Sequence, residues 1–207
     1  MTTKERIIDE ALRLFAVKGY KGTSVKAIAE AVGIKDSSLY KHFKSKQEIL
    51  DTIVAAMEEH IEAMSRDFGL PSGEDIEEAA KVYAAFDEDM LVEFSNKIFL
   101  FYLKDSVVSR FWAMGTIEQF QNQEVYHVFR KLFLDDSIIY QTKVFGQLID
   151  QGVFTGADPQ VMAIYFYTPI FFLLSKYSND LEHEGEALEI LDKQVREFYR
   201  LYKKREN

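Results

Sequence analysis

Apolar residues recur at three- and four-residue steps along most of the chain, with polar residues between them, which is the period of helices that bury one face. Ile7, Ile8, Ala11, Leu12 and Phe15 form one such stripe over Thr3–Lys18, and Gly19 closes the helix. The hydroxyls of Thr23 and Ser24 suit the cap of a second helix that runs to Val32 with Val25, Ile28, Ala29 and Val32 inward. Gly33 supplies a left-handed reversal, and a third short helix spans about Asp36 to Phe43, with Leu39 and Phe43 on its apolar side. Ser45 followed by Glu48 is a capping box, and Ile49, Leu50, Ile53, Val54, Met57, Ile61 and Met64 carry the fourth helix out of the first unit into a second. After a loop at Phe68–Gly73, helices are predicted near Asp75–Phe86, Met90–Lys104, Val107–Gln121, Glu124–Gln151, Pro159–Tyr177 and Glu186–Lys204. Asp135–Ser137 is a candidate break in the long fourth member of that series, Asp158-Pro159 is a strong helix start, and Pro169 predicts a kink. No alternating β-branched run interrupts the pattern, so the fold class is all-α: an N-terminal three-helix domain with a helix-turn-helix, then a larger C-terminal helical domain.

Charge sharpens this division. The chain of 207 residues has a net charge of −9, yet residues 1–50 hold ten Lys/Arg against six Asp/Glu, a net of +4. A basic head on an acidic body is the asymmetry expected where one end meets phosphate. Cysteine is absent, which excludes a disulfide framework, a thiolate metal site and a cysteine nucleophile. The four histidines are scattered, and His183-Glu184 lacks the second His of a zinc-protease motif because position 187 is Ala. There is no nucleophile elbow, phosphate-binding loop or dinucleotide fingerprint, so neither an enzyme nor a cofactor or metal site is expected. The N-terminus is amphipathic and charged, unlike a signal peptide. The most apolar run, Ala163–Leu174, has twelve residues, short of the roughly 20 of a spanning helix. These features predict a soluble, cytoplasmic chain with no membrane partner.

The third helix gives the head its chemistry. If Ile28, Ala29, Val32, Ile34, Leu39 and Phe43 pack on Ile8, Leu12 and Phe15, the residues left outside are Thr23, Ser24, Lys26, Lys35, Ser37, Ser38, Tyr40, Lys41, His42 and Lys46. Hydroxyls, amines and a phenol are the donors that grip phosphate oxygens. Ser37, Ser38 and Lys41 lie on the face that reaches base edges, whereas Tyr40 and His42 suit phosphate. Double-stranded DNA is the partner this face predicts, although a generic three-helix scaffold would share its apolar pattern.

Three motifs make the prediction specific. They are I-x-x-A-x-x-L-F-x-x-x-G-Y (Ile8–Tyr20), T-S-V-x-x-I-A-x-x-x-G (Thr23–Gly33) and S-L-Y-x-H-F-x-S-K-x-x-L from Ser38, its last Leu arriving one residue later at Leu50. In this order and spacing they resemble the TetR family of transcriptional regulators. The resemblance implies a helical homodimer on an inverted-repeat operator, released by a small molecule bound in the C-terminal body. It places residues 1–46 as the DNA-binding domain and 47–207 as the ligand-binding and dimerisation domain. It implies phosphate contacts at Tyr40 and Lys46, contacts at the start of the second helix from Thr23 and Ser24, and a groove-facing Lys41. Two positions depart from the family pattern: Lys35-Asp36 replaces a small capping hydroxyl, a cap Asp36 is expected to take over, and Ser37 stands where glycine is common.

The body is rich in aromatic residues, most of them ordinary core. Tyr102, Trp112, Tyr126 and Tyr165 pair an apolar ring with a polar tip and are the candidates to line a pocket for a small hydrophobic or aromatic ligand. For a cationic ligand, an aromatic cage with Glu118 beside it is the corresponding expectation. Ala163, Phe166, Ile170 and Leu174 form one stripe and Ile190, Leu191, Val195, Phe198 and Leu201 another, which either close the monomer or meet a second copy. Beside the repressor reading stands a ligand-binding or interaction module without ligand-controlled DNA release.

Overall fold

The computed structural model describes residues 1–71, 75–156, 158–178 and 180–204; the last two residues of the predicted 68–73 loop lie outside them. Among the described residues there are eleven α-helices: α1 Thr3–Lys18, α2 Val25–Val32, α3 Asp36–Leu39, α4 Lys46–Asp67, α5 Ile76–Ala84, α6 Glu88–Lys104, α7 Ser106–Glu118, α8 Gln123–Arg130, α9 Asp136–Asp150, α10 Pro159–Tyr177 and α11 Glu184–Tyr202. A π-helical run, Lys131–Asp135, joins α8 to α9, and a single antiparallel bridge links Phe154 and Lys203. The protein is all-α.

The chain packs as two compact units, and it crosses between them three times. One takes residues 1–61 and 106–131; the other takes 62–105 and those from 132 onward. In the first, Ile7, Ala11, Leu12, Phe15, Ile28, Ala29, Val32, Leu39 and Phe43 are buried together with Ile49, Ile53 and Met57 of α4. Ser24 caps α2 by accepting the Ala27 N–H at 3.1 Å, and Gly33 takes the left-handed conformation (φ +77°) that turns α2 into α3. The third helix is shorter than its apolar pattern predicts. It has one α-turn, Asp36–Leu39, after which the amides of Lys41 and His42 bond only three residues back, to Ser38 and Leu39. Asp36 is the first helical residue and not the cap; Lys35 holds the cap position without a side-chain hydrogen bond.

In the second unit Phe145, Phe154, Phe166 and Phe198 form a ring cluster, with Phe166 and Phe198 centroids 4.9 Å apart. Glu88, in the first turn of α6, accepts from Arg196 at 3.0 Å and Arg200 at 2.8 Å on α11. Pro169 has no N–H to give the Tyr165 carbonyl one turn earlier, and Gln194 of α11 donates to that carbonyl at 3.3 Å. The predicted helix Glu124–Gln151 is divided by the π run, which ends at Asp135, inside the expected break at Asp135–Ser137. Within that run the Phe133 carbonyl accepts the hydroxyl of buried Tyr167. Burial pushes the Tyr167 phenol up to about 12, so it remains a donor at neutral pH. Ala163, Phe166, Ile170 and Leu174 face inward. The exposed apolar face of α10 consists instead of Val161, Ile164, Tyr165 and Phe172, and that of α11 of Ile190 and Leu201.

Candidate nucleic-acid interface

The helix-turn-helix presents Ser24, Lys26, Lys35, Ser37, Tyr40, Lys41 and His42 to solvent, with Ser38 half-buried. Lys26 stands 3.9 Å from Glu30 along its own exposed helix, a spacing that leaves the amine accessible. Lys44 is exposed as well and adds to the positive face.

Two candidates are placed otherwise. Thr23 is 1% exposed, and its hydroxyl donates to the Gly19 carbonyl at 2.9 Å, so it is a buried tie inside the loop and not an outward donor. Lys46 is half-buried. Its Nζ donates to the Tyr20 carbonyl at 2.7 Å and the Thr23 carbonyl at 2.8 Å while lying 4.2 Å from the centre of the Tyr20 ring. Burial lowers the Lys46 pKa, and the Glu118 carboxylate partly counters that shift. The amine is held inward because α1 ends at Gly19 and leaves loop carbonyls that need a donor.

Tyr20 is held on every side. Its ring meets Phe15 edge-on with centroids 5.2 Å apart, its hydroxyl donates to Gln47 Oε1 at 2.9 Å, and its N–H donates to Glu118 Oε1 at 2.7 Å. Burial, then Glu124 and Asp51, raises its phenol above the ordinary value. Glu118 was not visible to sequence reasoning in this role. It is 1% exposed, its carboxylate faces the loop, and it does not stand open to a cationic ligand. A second polar tie, Arg110 Nη1 to Asp9 Oδ1 at 2.8 Å, also links α7 to α1.

The four candidate pocket residues fall in different places. Trp112 and Tyr126 both meet Phe129 in the first unit, at 5.2 and 6.0 Å between centroids. Tyr102 packs on Phe133 in the second unit at 5.7 Å, and Tyr165 is 59% exposed on α10. A hollow of about 210 Å³ between α4 and α8 is lined by Leu50, Val54 and Val128 together with Asp51, Glu58 and Glu124. Among the described residues no group of His, Asp and Glu is arranged to hold a metal ion, and no helix is long and apolar enough to cross a membrane.

The same head is found in known regulators. Residues 7–53 match the family of bacterial regulatory proteins, tetR family. The likeness to that family lies in the N-terminal module. The biofilm operon icaADBC negative transcriptional regulator IcaR of Staphylococcus aureus is 51% identical over 51 residues, which cover 25% of this chain and 27% of IcaR. The match thus spans about a quarter of that curated relative. Beyond the module, the likeness to solved structures is one of fold alone. A crystal structure from Mesorhizobium loti, assigned to the TetR-family transcriptional regulators, superposes with a TM-score of 0.70 at 17% identity, covering 98% of this chain and 97% of that one. FadR from Bacillus subtilis, solved with stearoyl-CoA, gives 0.63 at 20% identity over 93% and 95%.

Proposed function

We propose that the protein is a DNA-binding transcriptional regulator, a homodimeric repressor released from an inverted-repeat operator by a small molecule. The observation that carries this is the exposed donor face of residues 24–44, built on a TetR head within an otherwise acidic chain. Ser37 and Lys41 reach base edges, while Ser24, Lys26, Lys35, Tyr40, His42 and Lys44 bind phosphates. Lys46 serves the interface by shaping the loop before α2, and Thr23 does so from inside it. Residues 1–46 make the DNA contacts, and 47–207 carry ligand binding and dimerisation. The exposed apolar faces of α10 and α11 supply the contact between copies, and the protein acts in the cytoplasm. A hydrophobic or aromatic effector fits the aromatic body, and FadR offers a parallel in its complex with stearoyl-CoA.

Selection of duplexes from a random pool by the full-length protein tests this reading, repeated with a long-chain acyl-CoA and with hydrophobic aromatic compounds. The expected product is an inverted repeat whose retention falls when an effector is present. Enrichment of no duplex at low salt sinks the DNA-binding reading; an inverted repeat that no such compound releases removes the effector from it.

A further inference from the structure

The loop between α1 and α2 is gripped at both ends of one residue by side chains of opposite charge. Glu118, from the last turn of α7, accepts the Tyr20 N–H at 2.7 Å, while Lys46, from the first turn of α4, donates to the Tyr20 C=O at 2.7 Å. Glu118 lies so close to the loop that a Cβ built on Gly19 would stand 2.6 Å from its Oε1; Gly19 itself has φ +74°. Its other oxygen, Oε2, is buried with no hydrogen-bond partner among the described residues. A buried carboxylate costs stability unless its contacts compensate, and a helix-closing loop does not need an acid to form.

We infer that Glu118 is a positioning residue for DNA recognition. It fixes the loop that sets the Ser24 cap of α2 and, through α2 and Gly33, the pose of α3. The inference rests on the DNA-binding reading above. It makes α7, more than fifty residues beyond the helix-turn-helix in sequence, part of the machinery that presents the recognition helix. Arg110 on Asp9 and Lys21 on the Gln121 carbonyl tie the same two stretches together and keep Glu118 in place.

Charge alone and positioning predict opposite signs. Removing an acid from a head that meets phosphate strengthens binding if only the field matters. If Glu118 positions the loop, Glu118→Ala weakens binding to the selected duplex about tenfold, a change of about 1.4 kcal/mol. The dependence of affinity on salt stays as in the wild type, because no phosphate contact is lost. Glu118→Gln retains an acceptor oxygen for the Tyr20 N–H and binds within about threefold of wild type. Hydrogen exchange in the full-length protein reports the latch directly: the peptide covering Gly19–Thr23 exchanges faster in Glu118→Ala and near the wild-type rate in Glu118→Gln.

Phe129→Leu is the control for general destabilisation, since Phe129 packs on Trp112 and Tyr126 in the same α7–α8 hairpin. At equal loss of Tm it leaves duplex affinity within about threefold of wild type. Three outcomes overturn the proposal: Glu118→Ala binding as tightly as wild type or tighter, unchanged loop exchange, or Phe129→Leu weakening binding as much as Glu118→Ala. A wild-type chain that enriches no duplex overturns the DNA-binding reading itself, and this proposal falls with it; the other outcomes leave that reading standing.

Discussion

Side chains of one chemical type take opposite roles in this head, depending on whether a backbone carbonyl lies within reach. Ser24 and Thr23 are adjacent hydroxyls, yet the first caps α2 at the surface and the second closes the loop from inside. Lys41 is exposed, whereas the Lys46 amine is spent on two carbonyls. Thr23→Val keeps the shape and deletes one buried hydrogen bond. It should cost about 1 kcal/mol of stability, read in a denaturant titration, and leave the salt dependence of duplex binding unchanged. Lys41→Ala should weaken binding by about 1–3 kcal/mol and relax preference at one base position, read by repeating the duplex selection; an unchanged selected sequence would remove Lys41 from the groove. Outward placement was legible for Ser24, Lys26, Lys35, Ser37, Tyr40, Lys41 and His42 because helical period decides it. It was not legible for Thr23 and Lys46, whose partners are the carbonyls of Gly19, Tyr20 and Thr23, since backbone groups leave no mark on a sequence. Glu118 escaped for the same reason: its partner is an amide 98 positions away.

Among the elements, those with a chemical start or stop signal were read most closely. The bounds of α1 and α10 agree with the prediction, and Gly19 and the Asp158-Pro159 pair explain why. The helix expected over Glu124–Gln151 gives way at the candidate break, with α9 starting at Asp136, but the π run before it was not foreseen, because it changes hydrogen-bond register without changing residue type. Where α7 meets α8, a Cβ on Gly115 would stand 2.2 Å from the Phe129 ring, which is itself packed against Trp112. Gly115→Ala should therefore destabilise the protein by about 1–3 kcal/mol through overpacking, seen as a lower Tm. At the other unit's α6–α11 contact, Arg200 and then Arg196 hold the Glu88 carboxyl below the ordinary carboxylate value. A depressed folded pKa contributes stability above the unfolded value and loses it as pH falls through the folded one. Glu88→Gln should lower Tm at pH 7, and the gap should close on acidification through the carboxylate range. Parallel Tm–pH curves for the two proteins would show that this cluster contributes nothing.

For the whole molecule, symmetry decides whether a three-helix head with one short recognition helix can find an operator. One head offers a single turn of α3 and a handful of cationic side chains, so one head alone gives weak, salt-sensitive binding. Two heads related by a two-fold axis read successive major grooves about 34–36 Å apart, and the second engages at high effective concentration once the first is bound. On the proposed function dimerisation controls operator affinity, and the candidate seam is the face of α10 and α11 left uncovered within the chain: Val161, Ile164, Tyr165 and Phe172 with Ile190 and Leu201. Phe172 is 58% exposed, so Phe172→Glu disturbs no core packing within the chain, while in a symmetric seam the same charge enters from both copies. Ile164→Glu with Phe172→Glu should convert the proposed dimer to a monomer in sedimentation velocity while leaving helicity by circular dichroism unchanged. Affinity for the full inverted repeat should fall at least about 100-fold, toward that of a duplex carrying one half-site. A double variant that still sediments as a dimer would place the seam elsewhere, and one that becomes monomeric yet keeps full-site affinity would show that a single head suffices.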